Sequence, residues 1–410
     1  MDNMDKKNKR AVWIFFGIVA LTGLALGLSD SVFANYFKDA YQIDGFQRGM
    51  IEIPRETPGV IAFFVITSLA FLGDIKLAVA AQIMSVAGLI VLGLFTPAFG
   101  VMLVFLFINS LGMHLFMPLG DSLGLKLAGR GRAGTMMGRF SGVRTAFSMM
   151  AGILVFIGFR TGFFSFTTPV KLIFLISAGL FSIVIVLLIA LGRTDREIAK
   201  SRKIKLIIRK EYWTYYLIAI LFGARKQIMF VYGPWVLIEL LGFGADTMAL
   251  LAIAGAGIGI FFIPAVGRWI DRYGTARIMM VEAGCFFAVY IAYGFLSAGL
   301  HSGFLTAAGV TVIVAFGLKM LDFMTMQFGL VRSVYMRKIA VSDEDVTPTL
   351  SLGLSLDHIL SILSAVLCGW LWRELGPQSV FVLAAVLAVA NMIVARHCTK
   401  VELNAANKGN

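Results

Sequence analysis

Charge is scarce in this chain of 410 residues: Asp, Glu, Lys and Arg together make up 14%, against the roughly 25% typical of a soluble globular protein. Cysteine is scarcer still. Cys285, Cys368 and Cys398 are odd in number, far apart and free of any C-x-x-C spacing, so neither a disulfide framework nor a zinc site is indicated. They read as reduced structural thiols. The four histidines, His114, His301, His358 and His397, form no H-E-x-x-H and no i, i+4 pair, and no metal or other cofactor is expected. With no nucleophile–base pairing and no phosphate-binding loop either, the chain does not read as an enzyme.

What is present is apolar. Hydrophobic residues make up 59% of the chain, with 43 Gly, 35 Phe and 20 Met, and the mean hydropathy is +0.87. One water-soluble core would leave much of that surface in exposed patches, so lipid is the expected solvent. A helix needs about 20 mostly apolar residues to cross a hydrocarbon layer about 30 Å thick. Twelve runs meet that length: 11–35, 47–72, 77–97, 100–127, 140–160, 169–192, 213–241, 247–267, 278–299, 304–333, 349–372 and 378–396.

The 36 Lys and Arg against 23 Asp and Glu give a formal charge of +13, which in a soluble protein would point to nucleic acid. Their placement points elsewhere, because positive residues are retained on the cytoplasmic side of a membrane. With Lys6, Lys7, Lys9 and Arg10 inside, most basic residues fall in cytoplasmic segments, and Lys38, Arg48, Arg160, Lys171 and Arg373 fall at the outer side. The connection after the sixth run concentrates Arg193, Arg196, Lys200, Arg202, Lys203, Lys205, Arg209 and Lys210. All six tryptophans, Trp13, Trp213, Trp235, Trp269, Trp370 and Trp372, lie toward run ends, as an interfacial belt requires. No nucleic-acid partner is expected. Both termini are expected to be cytoplasmic, the short termini and compact loops suggest a bacterial inner membrane, and a monomer is expected.

Six runs, a basic connection and six more suggest duplicated halves: an N-terminal bundle over 1–192, a linker over 193–212, a C-terminal bundle over 213–397 and a cytoplasmic tail over 398–410. The turn after the eighth run reads Gly267-Arg268-Trp269-Ile270-Asp271-Arg272-Tyr273-Gly274-Thr275-Ala276-Arg277, and the turn after the second reads Leu72-Gly73-Asp74-Ile75-Lys76. With these turns the chain resembles the major facilitator superfamily, whose signature there is Gly, three residues, Asp, Arg or Lys, any residue, Gly, then basic residues. The resemblance implies an all-α membrane protein with twelve transmembrane helices in two pseudo-symmetric six-helix bundles. It also implies that the first and seventh spans line a central cavity and that Gly267, Asp271, Arg272 and Gly274 form a latch on the inner face. The first-half copy keeps Asp74 but lacks glycines at the matching offsets. The proline–glycine signature of the family's drug–proton antiporters is missing from 139–159.

A charge at the bilayer centre costs about 2.5–3.5 kcal/mol on insertion scales, so ionisable groups inside the runs are functional candidates. Glu52, Arg55 and Glu56 share a helical face between Pro54 and Pro58; Arg225 and Lys226 lie near mid-depth; Lys319 and Asp322 are spaced i, i+3; Asp357 and His358 are adjacent. Glu52 with Arg55, and Lys319 with Asp322, are also readable as structural ion pairs. Arg225 and Lys226 have no acid within one turn of their own run, so they need acids from other spans or an anionic substrate. His114 is readable as packing or substrate contact, Asp30 as an outer gate or a helix cap, and Asp121 and Arg144 as an inner network.

These residues predict a secondary active transporter that moves a small anionic or polyhydroxylated solute by alternating access. Arg55, Arg225, Lys226, Lys319 and His114 would hold the solute, and Glu52, Glu56, Asp322, Asp357 or His358 would carry a coupling proton. Two alternatives stay open. One is a proton antiporter exporting cationic or lipophilic compounds, with Glu52, Glu56 and Asp357 as binding acids; the other is a non-transporting membrane receptor or scaffold.

Overall fold

Lipid offers the backbone no hydrogen-bonding partner, so a chain built of long apolar runs must satisfy its amides within each helix. The computed structural model describes residues 6–128, 133–194 and 208–408, and Arg196, Lys200, Arg202, Lys203 and Lys205 of the basic connection lie outside them. The described residues are helical almost throughout, with no β-strand among them. The N-terminal half contributes α1 (Lys6–Ser29), α2 (Phe33–Tyr41), α3 (Gly45–Met50), α4 (Glu52–Ser68), α5 (Asp74–Leu94), α6 (Phe99–Ala128), α7 (Ala133–Arg160) and α8 (Leu172–Thr194). The C-terminal half contributes α9 (Trp213–Trp235), α10 (Ala245–Tyr273), α11 (Thr275–His301), α12 (Val310–Met326), α13 (Val331–Ile339), α14 (Asp343–Leu375) and α15 (Pro377–Lys408).

Among the described residues, ten helical segments are long and apolar enough to cross a membrane, α1 continuing into α2 and α12 into α13. The other two expected spans are α3–α4 and α9, which runs into a π-helical turn over Val236–Leu240. α4 is only 17 residues long, and both spans carry clustered charge, which lowers their hydropathy at the positions most open to chemistry. The architecture is the all-α, twelve-span one expected.

One trace of duplication is written in the backbone. Gly73 opens α5 at φ 80° and ψ 156°, and Gly274 opens α11 at φ 83° and ψ 158°. Only glycine adopts this conformation readily, so the two short turns share one bend although their sequences have diverged. Superposing them in sequence sets Asp74 opposite Thr275 and leaves Ala70 opposite Asp271.

The chain divides into two compact units, one drawn from Met1–Gln42, Pro54–Ile204 and Ala245–Leu250, the other from Ile43–Ile53, Lys205–Gly244 and Leu251–Asn410. Neither is a single stretch of chain. The first has a core in which Val12, Phe15 and Ile18 of α1 pack with Ala78 and Ala81 of α5, Leu123 of α6 and Val184 and Leu188 of α8. The second closes around Ile270, Met279, Tyr335, Met336 and Cys398. All three cysteines are free thiols. Large apolar side chains such as Phe71, Val186, Phe261 and Ile393 stand exposed, as expected of a surface solvated by acyl chains.

Candidate functional site

Successive residues of an α-helix point about 100° apart, and α9 uses this to send three adjacent side chains to three acids. Arg225 Nη2 donates to Glu282 Oε1 of α11 at 2.9 Å. Lys226 Nζ donates to Asp357 Oδ2 of α14 at 2.5 Å. Gln227 Nε2 donates to Glu52 Oε2 at the start of α4 at 2.8 Å. Each acid is held further: Glu52 accepts from Arg48, one turn earlier, and Glu282 Oε1 also accepts from Arg332 Nη1 of α13 at 3.1 Å. Ser361 Oγ stands 3.5 Å from Asp357 Oδ1.

Small residues let these helices approach. A Cβ at Gly223 would land on Asp357 Oδ1, and one at Gly49 would meet the Ala365 carbonyl and the Tyr232 hydroxyl. Tyr232 instead donates to Ala365 O at 2.8 Å, tying α9 to α14 about two turns beyond Asp357.

Burial separates the cations. Arg225 and Glu282 have side chains only 0% and 1% exposed, and the Arg225 guanidinium lies 3.7 Å from the centroid of Phe286, where the ring face offsets part of its lost hydration. Arg332 lies over Phe222 at 3.0 Å. Two guanidinium groups thus share one carboxylate. Lys226 is different: its side chain is 26% exposed, while that of its partner Asp357 is 11% exposed. Lys319 pairs with Asp322 at 2.8 Å within α12, both buried, and lies over Phe323.

In the first unit the candidate residues form a second, looser group. Arg55 Nη2 donates to Asp30 Oδ1 at 2.9 Å, and Ser110 Oγ donates to the Arg55 carbonyl. His114 Nδ1 lies 2.9 Å from Ser110 O and 3.1 Å from its Oγ, and a Glu56 carboxylate oxygen is within 4.8 Å of a His114 ring nitrogen. His358 is partly buried on α14, one residue past Asp357.

None of the contacts above involves the residues of the two short turns. Asp271 and Arg272 are exposed at the end of α10, and Gly267 and Gly274 lie in the same segment. Asp74 accepts from Lys126 Nζ at 2.7 Å and Ser122 Oγ at 2.9 Å, clamping the N-terminus of α5, where a carboxylate is favoured, to the far end of α6.

Reasoning from sequence missed Glu282, Arg332, Gln227 and Arg48. Glu282 and Arg332 sit near the ends of their runs, where charge looks interfacial. The signal that could have found Glu282 is the pair of adjacent cations in α9, which demands acids from elsewhere.

The sequence matches the Major Facilitator Superfamily over residues 15–341. No curated protein matches it. Among solved structures, the nucleoside transporter NupG is similar at TM-score 0.72 and 14% identity, over 95% of this chain and 98% of that one. A POT family transporter in complex with 5-aminolevulinic acid is similar at TM-score 0.74 and 11% identity, over 97% and 96%. A D-xylose–proton symporter is similar at TM-score 0.66 and 12% identity, over 93% and 96%. At such identities the likeness is one of fold.

Proposed function

Because the chain belongs to the Major Facilitator Superfamily, a family of transporters, we propose that it moves a small anionic or polyhydroxylated solute across the membrane by alternating access, coupled to protons. The observation that carries this reading is the partly exposed Lys226–Asp357 pair beside a fully buried Arg225–Glu282 pair. Arg55, Arg225, Lys226 and Lys319 each already hold a carboxylate. At Lys226 a solute anion takes the place of Asp357. A proton added to Asp357 removes its charge and frees the Lys226 ammonium, a compact point charge on a flexible stem, to take the solute's carboxylate or phosphate. Loss of the proton restores the internal pair and expels the anion. Proton and anion thus bind together, which is the logic of symport.

Arg225 has another part in this scheme. Fully buried, it ties α9 to α11 and keeps Lys226 in register. Arg55 with Asp30, Glu56 and His114 supply the first unit's polar contacts, and Lys319–Asp322 is a neutralised pair that steadies α12. The ligands named for the solved relatives, a nucleoside, xylose and 5-aminolevulinic acid, are hydroxylated or carboxylated small molecules, in keeping with this solute class. The distribution of basic residues supports cytoplasmic termini in a bacterial inner membrane, and the pair at α9 and α14 is complete in one chain, consistent with a monomer.

The test is flux in proteoliposomes, offering organic acids, sugars and amphipathic cations with and without an inward proton gradient. The expected result is gradient-driven accumulation of an acid or sugar that Lys226→Gln lowers at least tenfold, while Asp357→Asn keeps exchange but loses its response to the gradient. Movement of amphipathic cations alone would replace this reading with export, and an unaltered flux in Lys226→Gln would remove the pair from the site.

A further inference from the structure

A cavity of about 270 Å³ lies within the first unit, walled by α1, α5, α6, α7 and α8. It is separate from the polar group described above, since Asp30, Arg55, Glu56 and His114 do not line it. Size makes it a candidate site: an apolar cavity of about 150 Å³ is enough to hold benzene, so this one has room for a larger ring system.

Its chemistry narrows the occupant. Phe15 and Phe140 form one wall, with ring centroids 4.8 Å apart and planes at 77°. Met113, Met117 and Met137 line it as well, and methionine is the side chain that best adapts its shape to an aromatic guest. Thr22, Gln82, Ser85, Asp121, Ser141 and Arg144 interrupt the apolar lining, and two of them are buried without a partner. Thr22 and Gln82 are 5% and 1% exposed, both line the cavity, and Thr22 Oγ1 and Gln82 Oε1 find no partner among the described residues. A buried acceptor without a donor is costly, and an amide oxygen can be satisfied only by a donor. Asp121 and Arg144 are of opposite sign, so the ionised lining side chains carry no net charge that would favour an ion of either sign.

We propose that this cavity binds a neutral amphipathic molecule with an aromatic body and a hydroxyl or amino donor, the rings lying among the Phe and Met side chains and the donor meeting Gln82 and Thr22. The site goes beyond the transport reading. It names a ligand of a different class, at residues the charged pair does not use.

The full chain in lipid nanodiscs is photolabelled with 1-azidoanthracene, adducts are mapped by mass spectrometry, and 1-aminoanthracene and anthracene are compared as competitors. The expected adducts lie on the α6 and α7 peptides that carry Met113, Met117 and Phe140, with 1-aminoanthracene at least tenfold the better competitor. Gly120→Leu and Ser141→Phe, which fill the cavity from two helices, abolish these adducts. Adducts spread over exposed positions such as Phe261 and Ile393 and indifferent to both filling variants overturn the proposal, since the probe then only partitions into the bilayer. Should neither filling variant fold, Gln82→Leu decides: loss of the preference for 1-aminoanthracene supports the site, and an unchanged preference overturns it. Flux dependent on Lys226 is read separately, so either idea can fail without the other.

Discussion

In α9 three neighbouring polar side chains each meet a partner from another segment, whereas α1, its counterpart by order in the chain, sends Phe15 and Ile18 into an apolar core with a cavity beside it. Hydrogen-bonded ion pairs are directional: sliding α9 by one residue would break all three contacts at once. Apolar packing has no such register, and a core of Phe and Met can shift or admit a guest at small cost. The polar core is suited to fixing the register of its helices, the apolar one to accommodating a shape.

The sharpest way to break this contrast is Glu282→Ala, which strands Arg225 and Arg332 in an apolar surround. Removing one partner of a buried charge pair costs about 3–5 kcal/mol, so detergent-solubilised protein should lose most of its thermal stability. Next is Gly223→Val, whose side chain must push Asp357 and α14 away. Overpacking of this kind costs about 1–3 kcal/mol, and proton-driven flux should fall with it. In the apolar unit, Ile18→Val should cost only about 0.5–1.5 kcal/mol, seen as a small shift in melting temperature with flux retained. Lys226→Gln should cost less stability than Glu282→Ala, because its cation is partly exposed and the Gln amide can still donate to Asp357, although its effect on flux should exceed that of Ile18→Val. A stability loss in Lys226→Gln as large as in Glu282→Ala would erase the distinction between the pair with a partly exposed cation and the fully buried one.

Sequence reading reached most of the fold and part of the site. Spans were legible because lipid leaves no choice but about 20 apolar residues in a row, and Gly267, Asp271, Arg272 and Gly274 carried the family likeness. Local pairs were legible too. Lys319 and Asp322, spaced i, i+3, do meet. The long-range pairs were not: Glu52 meets Gln227 of α9 and Arg55 meets Asp30, partners that spacing along the chain does not single out. Two residues on one face show who could meet, and helix packing selects among them.

Composition and periodicity by themselves determined that this chain is a multi-pass helical membrane protein with charges buried in a few of its spans, because the price of an unpaired backbone amide or a bare charge in lipid is set by chemistry that acts locally. Tertiary structure alone decided which acid each cation meets, that Arg225 is sealed while Lys226 is partly exposed, and that the first unit keeps a cavity. Those outcomes depend on how closely helices approach, at Gly223 and Gly49 above all, and distance between helices is a property of the packed whole.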